Sequence, residues 1–295
     1  MRTQPGFTPP PRRTLGATGE ALSVIGFGGI LVMNETEAHA ADLVAEAVDG
    51  GINYFDVAPS YGNAEERLGP ALEPWRGGVF LACKTERRDA AGAREHLEQS
   101  LRNLRTDHFD LYQLHALGDP EKDVEAVFAP GGAMETLVRA RDEGLVRFLG
   151  FSAHSPAAAC RAMERFAFDT ILYPVNLACH FHGGFDTEPL GEARKRGMGI
   201  LALKALARGA WDAPNVLVRR EDYPKCWYEP FTRPEEALCG LRFTLGRPGV
   251  TSALPPGDER LWRLALDLLP QVPDQAATPG AEPEAAASLK PIFAA

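Results

Sequence analysis

The chain alternates. From Val24 onward, short apolar runs of strand-forming residues recur, and stretches with helical spacing follow them. The strand-like runs are Val24–Phe27, Ile52–Phe55, Val79–Cys83, Phe109–Leu114, Arg147–Phe151, Thr170–Tyr173, Met198–Leu203 and Val250–Ala253. Helices are expected at Ala64–Leu72, Ala93–Leu104, Gly132–Asp142, Pro156–Phe166, Phe185–Arg196, Pro234–Leu245 and Asp258–Leu269. An earlier helix starts at a Thr36 cap and stops at Gly50–Gly51. Such alternation points to a parallel sheet, either doubly wound or closed. Polar residues end many of the runs: Asp56, Lys84, His115, Ser152, Asn176 and Lys204. So many strand ends meeting at one place favours the α/β class with a closed (β/α)8 TIM barrel. A short β-hairpin, Arg13–Leu15 with Ala21–Ile25, precedes it.

The organisation expected is one barrel domain over 13–270, a flexible arm over 1–12 and a tail over 271–295. A long irregular loop, 205–232, carries Trp211, Tyr223, Trp227 and Tyr228, and its aromatics favour an ordered loop. The tail ends in PIFAA, apolar enough to dock over the barrel mouth. The net charge of −9 gives no general attraction to nucleic acid or an anionic membrane. The N-terminus lacks an apolar signal-peptide core, and no long apolar run reads as a membrane span. Five widely spaced cysteines form no disulfide framework, which fits a reducing, cytoplasmic compartment. Cys179, His180 and His182 are zinc-type residues, but their side chains need not converge, and a packed role is preferred to a metal site. A monomer or weak homo-oligomer is the default.

The chemistry concentrates in Ile52–Gly62, INYFDVAPSYG, a strand that delivers Asp56 and Tyr61 to its end. Lys84 and His115 reach the same face from the next two units. Asp56 can pair with Lys84, and a lysine cation beside Tyr61 is expected to lower the phenol's pKa. His115 can donate to a carbonyl oxygen or assist proton transfer. Tyr61 would then give a proton to an oxygen as negative charge develops. That step needs a hydride donor, which no side chain supplies, so a nicotinamide cofactor is implied. Each residue alone has an ordinary structural reading as an ion pair, a barrel histidine or a packed tyrosine. The coincidence of all four is harder to dismiss.

These residues stand in RRTLGATGEALSVIGFGG (Arg12–Gly29), INYFDVAPSYGNAEERLG (Ile52–Gly69), VFLACK (Val79–Lys84) and FDLYQLH (Phe109–His115). The pattern resembles the aldo-keto reductase family from about Arg13 to Leu269. The resemblance implies a catalytic tetrad of Asp56, Tyr61, Lys84 and His115. It also implies hydride transfer from a nicotinamide cofactor to a small-molecule aldehyde or ketone, or from an alcohol in reverse. NADP(H) is expected over NAD(H).

The cofactor positions depart from the family pattern. Ser152 stands where the carboxamide is held, but Ala153 replaces the usual asparagine, with His154 and Asn176 as compensating candidates. Leu172 and Val175 stand where a glutamine and a stacking tyrosine are usual. In PPGDERL, Gly257 precedes a helix start suited to phosphate, yet Asp258 and Glu259 would repel a 2′-phosphate unless Arg260 turned inward. Gly28 and Gly29 form a loop for close approach, while Lys204 and Arg208 reach the pyrophosphate or face solvent. Two other readings stay open: a dehydrogenase acting mainly on a sugar, polyol or other alcohol, and a catalytically weak cofactor-binding sensor or scaffold.

Overall fold

The computed structural model describes residues 9–213, 215–273, 286–287 and 289–293. A hairpin of β1 (Arg12–Thr14) and β2 (Ala21–Ser23) opens the fold. The barrel strands follow as β3 (Phe27–Gly28), β4 (Tyr54–Asp56), β5 (Phe80–Thr85), β6 (Phe109–Leu117), β7 (Val146–Ala153), β8 (Thr170–Pro174) and β9 (Gly199–Leu203). Two short strands, β10 (Ala207–Gly209) and β11 (Glu229–Pro230), pair antiparallel before the last barrel strand, β12 (Val250–Leu254).

The eight-stranded sheet runs in chain order from β3 to β9 and then β12. Every pairing within it is parallel. A parallel bridge from Ile25 to Ala253 joins the two ends. There Gly26 N–H donates to Ala253 O at 3.0 Å and Ala253 N–H donates to Val24 O at 2.9 Å. The sheet therefore closes into the expected barrel.

Burial explains the apolar runs. Strands covered on both faces need few polar residues, and all of β5 and β8 is buried. Inside the barrel Tyr54, Phe80, Leu111, Leu172 and Leu201 pack together. The hairpin closes the bottom of this inner core with Leu15 and Leu22, both fully buried. A larger outer core lies between strands and helices. There Trp262 meets Phe27 edge-on at 5.7 Å. Truncating a buried tryptophan costs about 3–5 kcal/mol.

Side-chain caps fix where helices begin. Thr36 accepts from His39 N–H at 3.2 Å. Asp89 accepts from Gly92 N–H at 2.8 Å, so its helix begins at Ala90, ahead of the expected Ala93. Ser155 caps Pro156–Arg165 and Asp258 caps Glu259–Leu268.

Four local expectations are corrected. β6 continues to Leu117, because pairing with β7 resumes after a register shift beyond Leu114. The stretch after β8 is a helix, Leu177–Gly183, capped by Asn176. Residues 205–232 are tied by β10 and β11 rather than wholly irregular. Residues 9–12 are tied at one end: Pro10 is buried and Pro11 O accepts from Val24 N–H at 3.0 Å, while Pro9, Pro11 and Arg12 are exposed. The rest of the expected arm, and residues 274–285, 288 and 294–295 of the tail, lie outside the described residues. The five cysteines are free thiols. Among the described residues no helix is long and apolar enough to cross a membrane.

Candidate active site

β4 and β5 place Asp56 and Lys84 side by side, both buried, as an ion pair. Lys84 Nζ also donates to Val57 O at 3.1 Å. Asp56 Oδ2 accepts from Tyr54 Oη at 3.1 Å and from Gln113 Nε2 at 3.2 Å. A buried pair is stable only when its remaining lone pairs and protons are satisfied, and Tyr54 and Gln113 do that for the carboxylate. Sequence reasoning missed both. The signal was available: strand residues of like parity share a face, so Tyr54 goes with Asp56 and Gln113 with His115.

Tyr61 sits in the turn after β4, 7% exposed. Lys84 Nζ lies 5.4 Å from its ring centroid. The His115 ring lies 6.1 Å away and the Trp227 ring 5.4 Å away. Burial raises the Tyr61 pKa, and Lys84 offsets this only in part. The expected net lowering is thus corrected: desolvation of the phenolate outweighs the neighbouring cation. Tyr61 holds its proton at neutral pH. Burial opposes the Lys84 cation, but Asp56 and Tyr61 more than compensate, and its pKa is raised.

His115 is neutral, held down to about 2 by burial first and then by Lys84, His154 and Lys204. Its Nδ1 lies 3.4 Å from Glu86 Oε1 but makes no hydrogen bond. Arg88, another residue the sequence did not flag, donates from Nη2 to His115 O at 3.0 Å. Next to it Ala116 has a left-handed φ of 55°, and Lys204 has one of 63°. Such backbone for a residue with a Cβ is strained and collects at functional sites.

The cofactor candidates divide. Ser152, at the end of β7, is buried and its Oγ accepts from Ala116 N–H at 2.8 Å. Asn176 caps its helix through Oδ1, which accepts from Cys179 N–H at 3.0 Å, while its buried Nδ2 has no partner. Lys204, at the end of β9, is 7% exposed. Burial lowers its pKa to about 8, Cys179 opposes that, and Lys84 adds to it. Burial and Lys204 hold His154 at about 3.

Arg208 is neither free for a ligand nor in solvent: it donates to the buried Glu229 at 2.6 Å and to Asn215 O at 3.0 Å. Arg260 is held by Asp258 Oδ2 at 2.6 Å and Asp222 O at 2.7 Å. It also lies 4.7 Å from the Tyr223 ring centroid. Leu172 and Val175 are buried in the two cores, and Leu203 instead faces the mouth.

A Cβ on Gly257 would stand 2.7 Å from Ile30 Cγ2, and one on Gly29 2.6 Å from Val57 Cγ2. These glycines allow close packing of the mouth loops. Gly28 has no such crowding and lines the mouth cavity with Asp56, Tyr61, Lys204 and Trp227. His180 Nδ1 pairs with Asp186 Oδ1 at 2.5 Å, and His182 Nε2 donates to Ala286 O at 2.6 Å. Among the described residues no cluster of metal-ligating side chains forms.

A buried carboxylate–lysine pair, a tyrosine and a histidine at successive strand ends of a closed barrel can be compared with known proteins. The sequence profile of the Aldo/keto reductase family matches residues 24–225. An uncharacterized oxidoreductase, YqkF, of Bacillus subtilis (strain 168) is 25% identical over 276 residues, covering 82% of this chain and 85% of its own. L-galactose dehydrogenase of Arabidopsis thaliana is 28% identical, with 67% of this chain and 66% of its own covered. The crystal structure of a putative aldo-keto reductase from Pseudomonas aeruginosa superposes with a TM-score of 0.72 at 25% identity, covering 92% of this chain and 99% of its own. The barrel, its strand-end residues and these likenesses agree, and the chain belongs to the aldo/keto reductase family as an NAD(P)-dependent oxidoreductase of small carbonyl or alcohol substrates.

Proposed function

We propose that the protein reduces an aldehyde or ketone at the cavity beside Tyr61, with Tyr61 as the general acid. The observation that carries this is the protonated Tyr61 beside a buried Lys84 cation, at 5.4 Å from ring centroid to Nζ. A bound nicotinamide supplies the hydride, which no side chain can. Tyr61 gives its phenolic proton to the substrate oxygen as charge develops there. Lys84 stabilises the phenolate left behind, and Asp56 keeps Lys84 charged and in place. Neutral His115 presents a ring nitrogen toward the same oxygen and orients the carbonyl.

The buried residues suit a dinucleotide. Asn176 Nδ2 is a buried donor without a partner, which suits a carboxamide oxygen. Ser152 retains its hydroxyl proton to donate. Lys204 makes no ion pair with a described carboxylate and suits a phosphate oxygen. Gly28 leaves room for close approach, and Gly257 precedes the helix start at Glu259. NADP(H) is the proposed cofactor, with Arg260 as the cation for the 2′-phosphate and Asp258 competing for it.

NADPH and NADH titrated separately against intrinsic fluorescence test the reading, since Trp227 lies against Tyr61. Saturable binding and carbonyl-dependent loss of nicotinamide absorbance are expected, and absence of binding by either dinucleotide rejects the reading. A second reading is oxidation of a sugar or other alcohol, with Tyr61 phenolate as base. The likeness to L-galactose dehydrogenase favours it. Initial rates in both directions decide between the two.

A further inference from the structure

The described mouth is narrow beside Tyr61. The cavity there measures about 50 Å³. Small-molecule sites run to roughly 300–1,000 Å³. Something must move before a dinucleotide and a substrate can enter.

Two segments cover the mouth, and they are held differently. Residues 225–228 are anchored. Lys225 Nζ donates to Leu31 O at 2.9 Å and pairs with Glu35 at 2.5 Å. Trp211 Nε1 donates to Cys226 O at 2.9 Å, and the buried Arg208–Glu229 pair ties β10 to β11. The C-terminal segment has fewer polar ties: Leu289 is buried in the outer core and Ala286 O accepts from His182 Nε2 at 2.6 Å. Lys290 O accepts from Ala210 N–H at 3.3 Å, and Lys290 Nζ meets the largely exposed Asp212 at 3.1 Å. The backbone of Ile292 and Phe293 lies beside the buried Cys179 sulfur.

What remains is the Phe293 ring. It stacks on His154 at 4.6 Å with an 18° tilt and on Phe185 at 5.7 Å with a 21° tilt. Lys204 Nζ lies 5.3 Å from its centroid. His154 follows Ser152 at the end of β7, Lys204 follows β9, and Asn176 with its unpartnered Nδ2 stands between them after β8. A flat six-membered ring therefore rests on the strand ends that carry the proposed carboxamide and phosphate donors.

We propose that Phe293 is an internal ligand of the nicotinamide seat: segment 289–293 docks where the cofactor ring lies, and the dinucleotide binds by displacing it. This rests on the dinucleotide reading above. The apparent affinity of the full chain is then the intrinsic affinity reduced by the undocked fraction. The nicotinamide and phenyl rings cannot both lie on the face of His154, and the docked Phe293 ring also covers the Lys204 cation that suits a phosphate oxygen.

The test uses the full chain, Phe293→Ala and a chain ending at Pro291, each checked by thermal unfolding for retention of the fold. NADPH dissociation constants are read by fluorescence, and amide exchange at Ala210, whose N–H donates to Lys290 O, is followed with and without NADPH in the full chain. Both variants are expected to bind about tenfold tighter or more, for a docked-to-free ratio of about ten. Saturating NADPH is expected to speed exchange at the Ala210 amide. Equal affinity in all three chains overturns the proposal and leaves the dinucleotide reading standing. Weaker binding by Phe293→Ala overturns it by making the ring a partner of the cofactor rather than its rival. Unchanged exchange at saturation also overturns it. No binding by any of the three overturns both readings.

Discussion

On β4, β5 and β6, Asp56 gathers the polar side chains around itself. Asp56 is shared by Lys84, Tyr54 and Gln113 inside the barrel. At the ends of β7, β8 and β9 there is no such centre among the described residues: Ser152 accepts from Ala116 N–H and Asn176 Oδ1 caps its own helix. Phe293 covers His154 and Lys204, while Asn176 Nδ2 has no partner. The first region is a buried network centred on Asp56, beside which burial keeps the proton on Tyr61. The second has unspent donors and a removable cover. The difference suggests a division of labour, with chemistry built on rigid strand ends and ligand entry left to a segment that can leave.

The largest expected effect strikes the first region alone. Tyr61→Phe removes the proton donor, and carbonyl-dependent turnover should fall by roughly 10²–10⁴. NADPH affinity, measured by fluorescence, should change little. A variant that lost binding and kept turnover would break the comparison.

Lys84→Met breaks the buried pair and leaves Asp56 charged in the barrel. A stability loss of about 3–5 kcal/mol is expected in denaturant titration, with turnover lost as well. Adding Asp56→Asn should recover part of the stability without recovering turnover.

Gly257→Ala tests the other side. A Cβ there meets Ile30 and comes within 3.0 Å of Lys225 O. Overpacking of this kind costs about 1–3 kcal/mol. Here the expected loss in dinucleotide affinity exceeds the loss in turnover at saturation, the reverse of Tyr61→Phe.

The effect smallest near neutral pH is a pH dependence that grows on acidification. His154 titrates at about 3 in the folded chain, against 6.5 for an ordinary histidine. Between these values the unfolded chain binds more protons, so stability is complete above about pH 6.5 and falls as pH drops toward 3. The slope approaches about 1.4 kcal/mol per pH unit for one such group. His154→Gln should flatten urea-derived stability profiles below pH 6.5. His115 contributes a similar dependence, toward about 2, so His154→Gln should remove only part of it.

Much of the first region was legible. The Ile52–Phe55 run, its terminal Asp56 and the turn to Tyr61 lie within one short stretch, and local pattern is enough to read them. The ion pair needed only the barrel, which the alternation implied. Arg208 shows where such reading stops. Its partner Glu229 belongs to the far strand of a small antiparallel pair, so the two meet only because residues 205–232 double back. Arg260 was likewise readable as a phosphate cation, but its tie to Asp222 O depends on where that loop lies.

The sequence by itself determined the strand–helix alternation, the hairpin, the Thr36 cap and the four residues at successive strand ends. These follow from periodicity and side-chain chemistry over a few residues. Only the tertiary structure decided the direction of the Tyr61 shift, because desolvation depends on everything packed around the phenol. It also decided that Phe293 lies on His154, a contact between residues far apart in the chain. No local pattern encodes either, since both arise from how the closed barrel brings distant segments to one mouth.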